Sequence, residues 1–190
     1  MFHNAQLAAL VLCGAVMALP ALAEDDIMSK AVNDPSVGWR ADGSGAKVEM
    51  FKDPTVTGGT AERMTISGKG TNPWDWGGHV SNTKPIKQGD VLLLAFWAKA
   101  ETPPAGSTMI DVNVNMQNDA APYESLGSAM QHIGAQWKMY FMVATADKDY
   151  KAGEAGVQLQ LATAQQVIDL GPLFILDYGV GFDKTKLPHS

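Results

Sequence analysis

Residues 109–117 read M-I-D-V-N-V-N-M-Q, and the alternation is nearly strict. Ile110, Val112, Val114 and Met116 fall on one side of an extended chain, and Asp111, Asn113, Asn115 and Gln117 on the other. That two-residue period is the mark of a β-strand with one buried face. The polar row is the informative one. A strand that merely faces water ordinarily carries Lys, Glu and Thr, whereas this one carries a carboxylate followed by three carboxamides. Each carboxamide offers a donor and an acceptor from one short, stiff group, and Asn is disfavoured in strands by propensity. A ladder of this kind suits a ligand covered in hydroxyls, such as a sugar; the plainer reading is a solvated polar face.

The rest of the chain after residue 35 repeats the same grammar. Short apolar-alternating segments are separated by Gly, Pro, Asn and Asp clusters, the pattern of an all-β domain. Strands are expected over 37–40, 46–51, 61–67, 77–81, 91–100, 109–117, 136–144, 154–163 and 166–178, the last interrupted at Gly171-Pro172. Helical signal is confined to a short stretch, 25–32, which Asn33-Asp34-Pro35 ends. No repeat, low-complexity tract or linker divides the chain. The expected architecture is a single antiparallel β-sandwich with little helix, two sheets packed face to face.

Further rows carry polar side chains. In 154–163, Val157, Leu159 and Leu161 form a core row opposite Gln158 and Gln160. In 91–100 both rows are largely apolar, and the outer one ends in Trp97 and Lys99. In 137–143, Trp137, Met139, Phe141 and Val143 are read as the core row, leaving Tyr140 on the polar side. If these strands are neighbours, Asn113, Asn115, Gln117, Tyr140, Gln158 and Gln160 line one groove with Trp97 near its end.

The first 23 residues contain no Asp, Glu, Lys or Arg, residues 7–19 are almost wholly apolar, and Ala21-Leu22-Ala23 precedes Glu24-Asp25-Asp26. This reads as a secretory leader, residues 1–23, cleaved after Ala23; the apolar run falls short of the about 20 residues of a membrane span. The sole cysteine, Cys13, lies within it behind the large Leu12, a poor lipidation site. The expected exported domain, residues 24–190, is therefore free of thiols and disulfides, secreted or periplasmic, and long enough to bury a substantial core. Its formal charge of −6 disfavours nucleic acid and anionic membranes as partners.

Three segments carry a family likeness. KQGDVLLLAFWAKA (87–100) resembles the turn, Gly-Asp, apolar strand and Phe-Trp-Ala-Lys-Ala segment of carbohydrate-binding modules of the CenC type, the family 4/9/22 jelly rolls. QWKMY (136–140) resembles their W-x-x-y strand, and QQVIDLGPLFILDYG (165–179) their closing strand. The likeness spans about residues 74–179. It implies a jelly-roll sandwich that binds glycans without cleaving them, and a separately encoded polysaccharide-degrading enzyme as partner. No cofactor is expected; similar jelly rolls often carry a structural calcium away from the sugar site, for which Glu24, Asp25, Asp26 and Asp177 are the candidate ligands here, but the chain has no D-x-D-x-D-G loop.

Trp74-Asp75-Trp76, between Asn72-Pro73 and Gly77-Gly78-His79, places two indoles in a Pro/Gly-bounded loop. Such rings stack on sugar faces at low entropic cost, and the competing role is to plug the sandwich end. Asp75 and His79 are candidate hydrogen-bonding neighbours, and Tyr123, in the 119–125 loop, is a candidate cover. Candidate sugar contacts are thus Trp74, Trp76, Trp97, Asn113, Asn115, Gln117, Tyr140, Gln158 and Gln160. Two other classes compete. An adhesive or structural sandwich would use the amide row as a subunit contact. A small polysaccharide lyase or glycosidase would need facing carboxyls, and the strands supply only Asp111 and Asp177. No G-x-S-x-G elbow is present, and no catalytic residue is assigned.

Overall fold

The computed structural model describes the backbone of residues 24–190 and side chains from Ile27 onward. The leader expected over 1–23 lies outside the described residues, as do the side chains of Glu24, Asp25 and Asp26. A short helix, α1 (Glu24–Lys30), precedes ten strands: β1 (Arg40–Asp42), β2 (Ala46–Lys52), β3 (Thr60–Ile66), β4 (Gly77–Ser81), β5 (Asp90–Thr102), β6 (Ile110–Asn118), β7 (Ser125–Ile133), β8 (Lys138–Thr145), β9 (Ala155–Gln160) and β10 (Gln166–Val180). They form two five-stranded antiparallel sheets, a groove sheet in the order β1-β4-β9-β6-β7 and a back sheet in the order β2-β3-β10-β5-β8. The expected all-β jelly-roll sandwich is what the chain forms.

The core lies between the sheets, where alternation buries Ile110, Val112, Val114 and Met116 of β6 against Val157 and Leu159 of β9 and Leu92, Leu94 and Phe96 of β5. A second apolar layer covers the outside of the back sheet. Val91, Leu93 and Leu176 pack there with Ala31 and Leu187, flanked by Ile27, Phe141 and Val143. β3 pairs with β10 only over Gln166–Leu170, so the edge beyond is open. Residues after α1 fill it: Ala31 bridges Leu176, Val32 N donates to Ile175 O (2.8 Å), and the Asn33 amide bonds Leu173 O and Ile175 N. At Gly171-Pro172 β10 is not interrupted but shifts register against β5.

Two expectations are corrected. β7 has no counterpart among the expected strands. Its inward row is Gly127, Ala129, Gln131 and Ile133, because it sits at the seam where the sheets converge: a Cβ on Gly127 would lie 3.3 Å from that of Ala144 on β8. Small residues are required there, which erases the apolar alternation. β8 faces the opposite way from the reading: Tyr140, Met142 and Ala144 enter the core, while Phe141 and Val143 go to the outer layer. Both faces of β8 are covered by apolar groups, so polarity could not choose between them.

The outer face of the back sheet also holds a charged network. Arg63 donates to both oxygens of the fully buried Asp169 (2.8 and 2.9 Å), and Lys99 lies 3.3 Å from the same carboxylate. Lys99 is also 3.6 Å from Asp53, which accepts from Trp137 Nε1.

Candidate functional site

The groove sheet sets its outward side chains in registered rows across all its strands. One row runs Arg40, His79, Gln158, Asn115, Ser128; the next runs Asp42, Gly77, Gln160, Asn113, Met130. A third holds Ser81, Gly156, Gln117 and Ser125. The amides of β6 and β9 are therefore cross-strand neighbours, close enough for direct bonding. Asn113 Nδ2 donates to Gln160 Oε1 (3.0 Å), and Asn115 Nδ2 to Gln117 Oε1 (2.7 Å). Ser125 Oγ donates to Asn115 Oδ1 (2.5 Å). Gln158 Nε2 reaches Asp42 Oδ2 (3.3 Å) and Trp74 O (3.2 Å). These bonds hold the amides in fixed orientations while leaving further donor and acceptor sites unspent.

Above them opens a cavity of about 460 Å³ lined by Asp42, Trp74, Asn115, Gln117, Tyr123, Gln158 and Gln160 with Pro122. The floor is deep: Asn115 and Gln117 are 7 % exposed and Gln158 6 %. The walls stand in solvent, with Trp74 54 % and Tyr123 57 % exposed. A local lock presents Trp74. Asp75 Oδ2 accepts from Asn72 N (2.8 Å) and Oδ1 from Asn72 Nδ2 (3.3 Å), closing the turn around it. The Asn72 N–H, and its side chain after it, hold the Asp75 carboxyl below the usual range. Asp75 thus acts on the loop rather than facing the cavity.

Beyond Tyr123 lies a second, more polar cavity of about 350 Å³ bounded by Arg40, His79, Ser81, Asp119 and Gly153, sharing Asp42, Gln117 and Tyr123 with the first. His79 Nε2 lies 3.1 Å from both Ser81 Oγ and Asp119 Oδ2, and Ser81 Oγ donates to that same oxygen (2.7 Å). A nucleophilic triad needs its serine and its carboxylate on opposite nitrogens of the imidazole. Here both meet one nitrogen, and the serine proton goes to Asp119. Gly156 makes this wall fit, since a Cβ there would come within 2.7 Å of Asp119 Oδ1 and 2.8 Å of His79 Cε1 and Val80 O.

The structure thus gathers Trp74, Asn113, Asn115, Gln117, Gln158 and Gln160 on one face. It places the other three candidates elsewhere. Trp76 packs into the sandwich end over Gly45, its ring occupying the space a Cβ would need (2.2 Å to Cδ2). Trp97 stands half-buried on the outside of the back sheet, beside Val56 and Gly171. Tyr140 is a core residue, its ring tilted on Phe96 at 5.8 Å and its hydroxyl donating to His132 O (3.3 Å); burial pushes its pKa up. Lys99 is committed to the carboxylates of the back sheet. Asp42 carried no signal in the sequence; the β1-β4-β9 order brings it to Gln158.

Asp177 does lie beside the incoming N-terminal segment, as its candidate role requires, with Oδ1 accepting from Gly179 N (2.7 Å). Burial and the neighbouring Asp90 raise its pKa. Calcium takes six to eight oxygens, and among the described residues no group of three His, Cys, Asp or Glu is placed to hold a metal. The described residues do not by themselves make up a calcium shell.

No protein-family model and no curated protein sequence matches the chain. Solved structures do. A family 4 carbohydrate-binding module superposes with a TM-score of 0.55 at 19 % identity, over 77 % of this chain and 93 % of that one. The CBM22-1 xylan-binding domain of Paenibacillus barcinonensis Xyn10C gives 0.54 at 16 %, over 76 % and 88 %. The CBM22-1–GH10 modules of Clostridium thermocellum xylanase 10B, complexed with xylohexaose, give 0.55 at 11 %, over 84 % and 28 %. The chain shares the sandwich fold of these modules.

Proposed function

We propose that the protein binds carbohydrate chains in the groove and does not cleave them. One observation carries this reading: an exposed tryptophan stands over a buried floor of bonded amides on a single sheet face. Trp74 supplies an apolar platform for a pyranose face. Asn115, Gln117, Gln158 and Gln160 supply paired donors and acceptors for hydroxyls, with Asn113 bracing Gln160. A sugar chain exchanges bonds to water for bonds to these groups, so each contributes only about 1 kcal/mol net and affinity is modest. The neighbours that share the fold are described as xylan-binding or bound to xylohexaose, which supports plant β-1,4-glycans as the first ligands to try.

The non-catalytic part of the reading rests on where the carboxylates go. Asp42 takes Gln158, and Asp119 takes His79 and Ser81, so each is engaged in positioning a neighbour. The leader expected over residues 1–23 supports action outside the cytoplasm, and the family resemblance supports a polysaccharide-degrading enzyme as companion; no helix among the described residues is long and apolar enough to cross a membrane. The test is a glycan panel read with purified protein, with and without calcium, together with product analysis of the same polysaccharides. Binding without soluble products is expected. Silence across the panel, concentration-dependent oligomers indifferent to sugar, or release of oligosaccharides would each refute it.

A further inference from the structure

We infer that His132, Met109 and Met130 form a binding site for a soft metal ion, Cu(I), at the β6–β7 end of the outer sheet surface. The inference does not rest on the carbohydrate reading, and none of these residues borders either cavity. Across β6 and β7, Asp111 is opposed to His132 and Asn113 to Met130. Met109 extends the outward row of β6 by one step and faces Gly134, just past the end of β7. His132 thus has Asp111 directly across, Met130 two residues before it on its own strand and Met109 on the diagonal. Diagonal neighbours lie about 7–8 Å apart, within reach of long side chains, and methionine is unbranched and flexible. Met109 already leans toward β7, its Cε 3.9 Å from where a Cβ on Gly134 would stand.

The imidazole is already oriented as a ligand. His132 Nδ1 lies 2.6 Å from Asp111 Oδ1. A carboxylate only accepts, so the ring proton sits on Nδ1 and Nε2 presents its lone pair outward. A carboxylate behind a histidine is the usual support of a metal-bound ring. The backbone beneath is pinned: Tyr140 Oη donates to His132 O (3.3 Å), and Ser107 Oγ accepts from Met109 N (3.1 Å) and donates to Met109 O (2.7 Å). Neither methionine has a packing task. Met109 is 41 % exposed and Met130 56 %, and neither belongs to an apolar cluster. One imidazole nitrogen and two neutral thioethers make a soft donor set, which selects Cu(I). Structural zinc takes four ligands, and calcium takes oxygens. Residues 24–190 hold no cysteine, so no thiolate of the expected exported domain competes for the ion.

The test is anaerobic titration of the purified chain with Cu(I) against a chromophoric Cu(I) chelator, with Ag(I) as a redox-inert second probe and Zn(II) as the hard competitor. Methionine methyl NMR on the same samples reports which sulfurs bind. One equivalent of Cu(I) or Ag(I) is expected to bind, shifting the methyls of Met109 and Met130 but not that of the equally exposed control Met50. Met109→Leu and Met130→Leu should each lose about tenfold in affinity, and His132→Gln about 100-fold. Asp111→Ala should lose about tenfold or more, because the ring is then free to turn. All four positions are exposed, so thermal midpoints should stay within about 2 °C of wild type and loss of binding cannot be laid to unfolding. Absence of saturable uptake by the wild-type chain would overturn the site. So would undiminished affinity in both methionine variants, or Zn(II) displacing Cu(I) at equal concentration. Sugar binding should be the same with and without Cu(I), so the glycan panel and the metal titration succeed or fail separately.

Discussion

Trp74 and Trp76 sit two residues apart and are assigned opposite duties, so truncating each in turn gives a sharp test. Trp76 packs against the core and over Gly45. A fully buried Trp→Ala change costs about 3–5 kcal/mol; Trp76 is half-buried, so about 2 kcal/mol is expected. For a domain of this size each kcal/mol moves the midpoint by about 2–4 °C, so Trp76→Ala should melt roughly 4–8 °C lower. Sugar affinity at temperatures where the variant is folded should hardly change. Trp74 is 54 % exposed and contacts solvent over the cavity. Its removal should change stability by no more than about 0.5 kcal/mol. As the aromatic anchor of the site it should cost about 2 kcal/mol of binding, roughly 30-fold in Kd. Scanning calorimetry and sugar titration on the same preparations measure both numbers. A Trp74→Ala protein that melts several degrees low but binds normally, or a Trp76→Ala protein with a normal midpoint and no binding, would refute the assignment.

Asp177→Asn should raise the midpoint at neutral pH. Burial and Asp90 lift the folded-state pKa above the unfolded one, so this group's contribution is fully present below the unfolded pKa and is lost as pH rises through the folded value. The variant should therefore show a flatter pH–stability profile, and a loss of stability that appears only in calcium would argue instead for a bound ion. Asp169→Ala leaves Arg63 and Lys99 without their buried counter-charge. Because Arg63 is still 37 % exposed and Lys99 20 %, the expected loss is about 2–3 kcal/mol, below that of a fully buried pair, read by denaturant titration. Gly156→Ala should cost about 1–3 kcal/mol by pushing Asp119 and His79 off the wall of the second cavity, with weaker hexaose binding as the second readout.

Residues 109–117 show how far a sequence reaches in this fold. A strand has a period of two, so polarity alone assigns Ile110 to Met116 to the core and the amides to the outside, and the same rule works for Val157 to Leu161. Where one face meets water, local pattern determines side-chain direction. It fails on β8, where a second apolar layer covers the outside and Tyr140 goes inward, and on β7, where the closing seam demands Gly127 and Ala129 in place of a legible apolar row. The tryptophans fail for a related reason. An indole serves equally as plug or platform, and only the glycine bed at Gly45 and the Asn72–Asp75 lock decide that Trp76 turns in while Trp74 turns out. Local alternation thus determined the fold class and the amide rows. That β6 and β9 are neighbours, that β1 carries Asp42 to them and that the 119–125 loop leans over the result were decided by strand order and loop closure, long-range pairings to which no single segment's pattern responds.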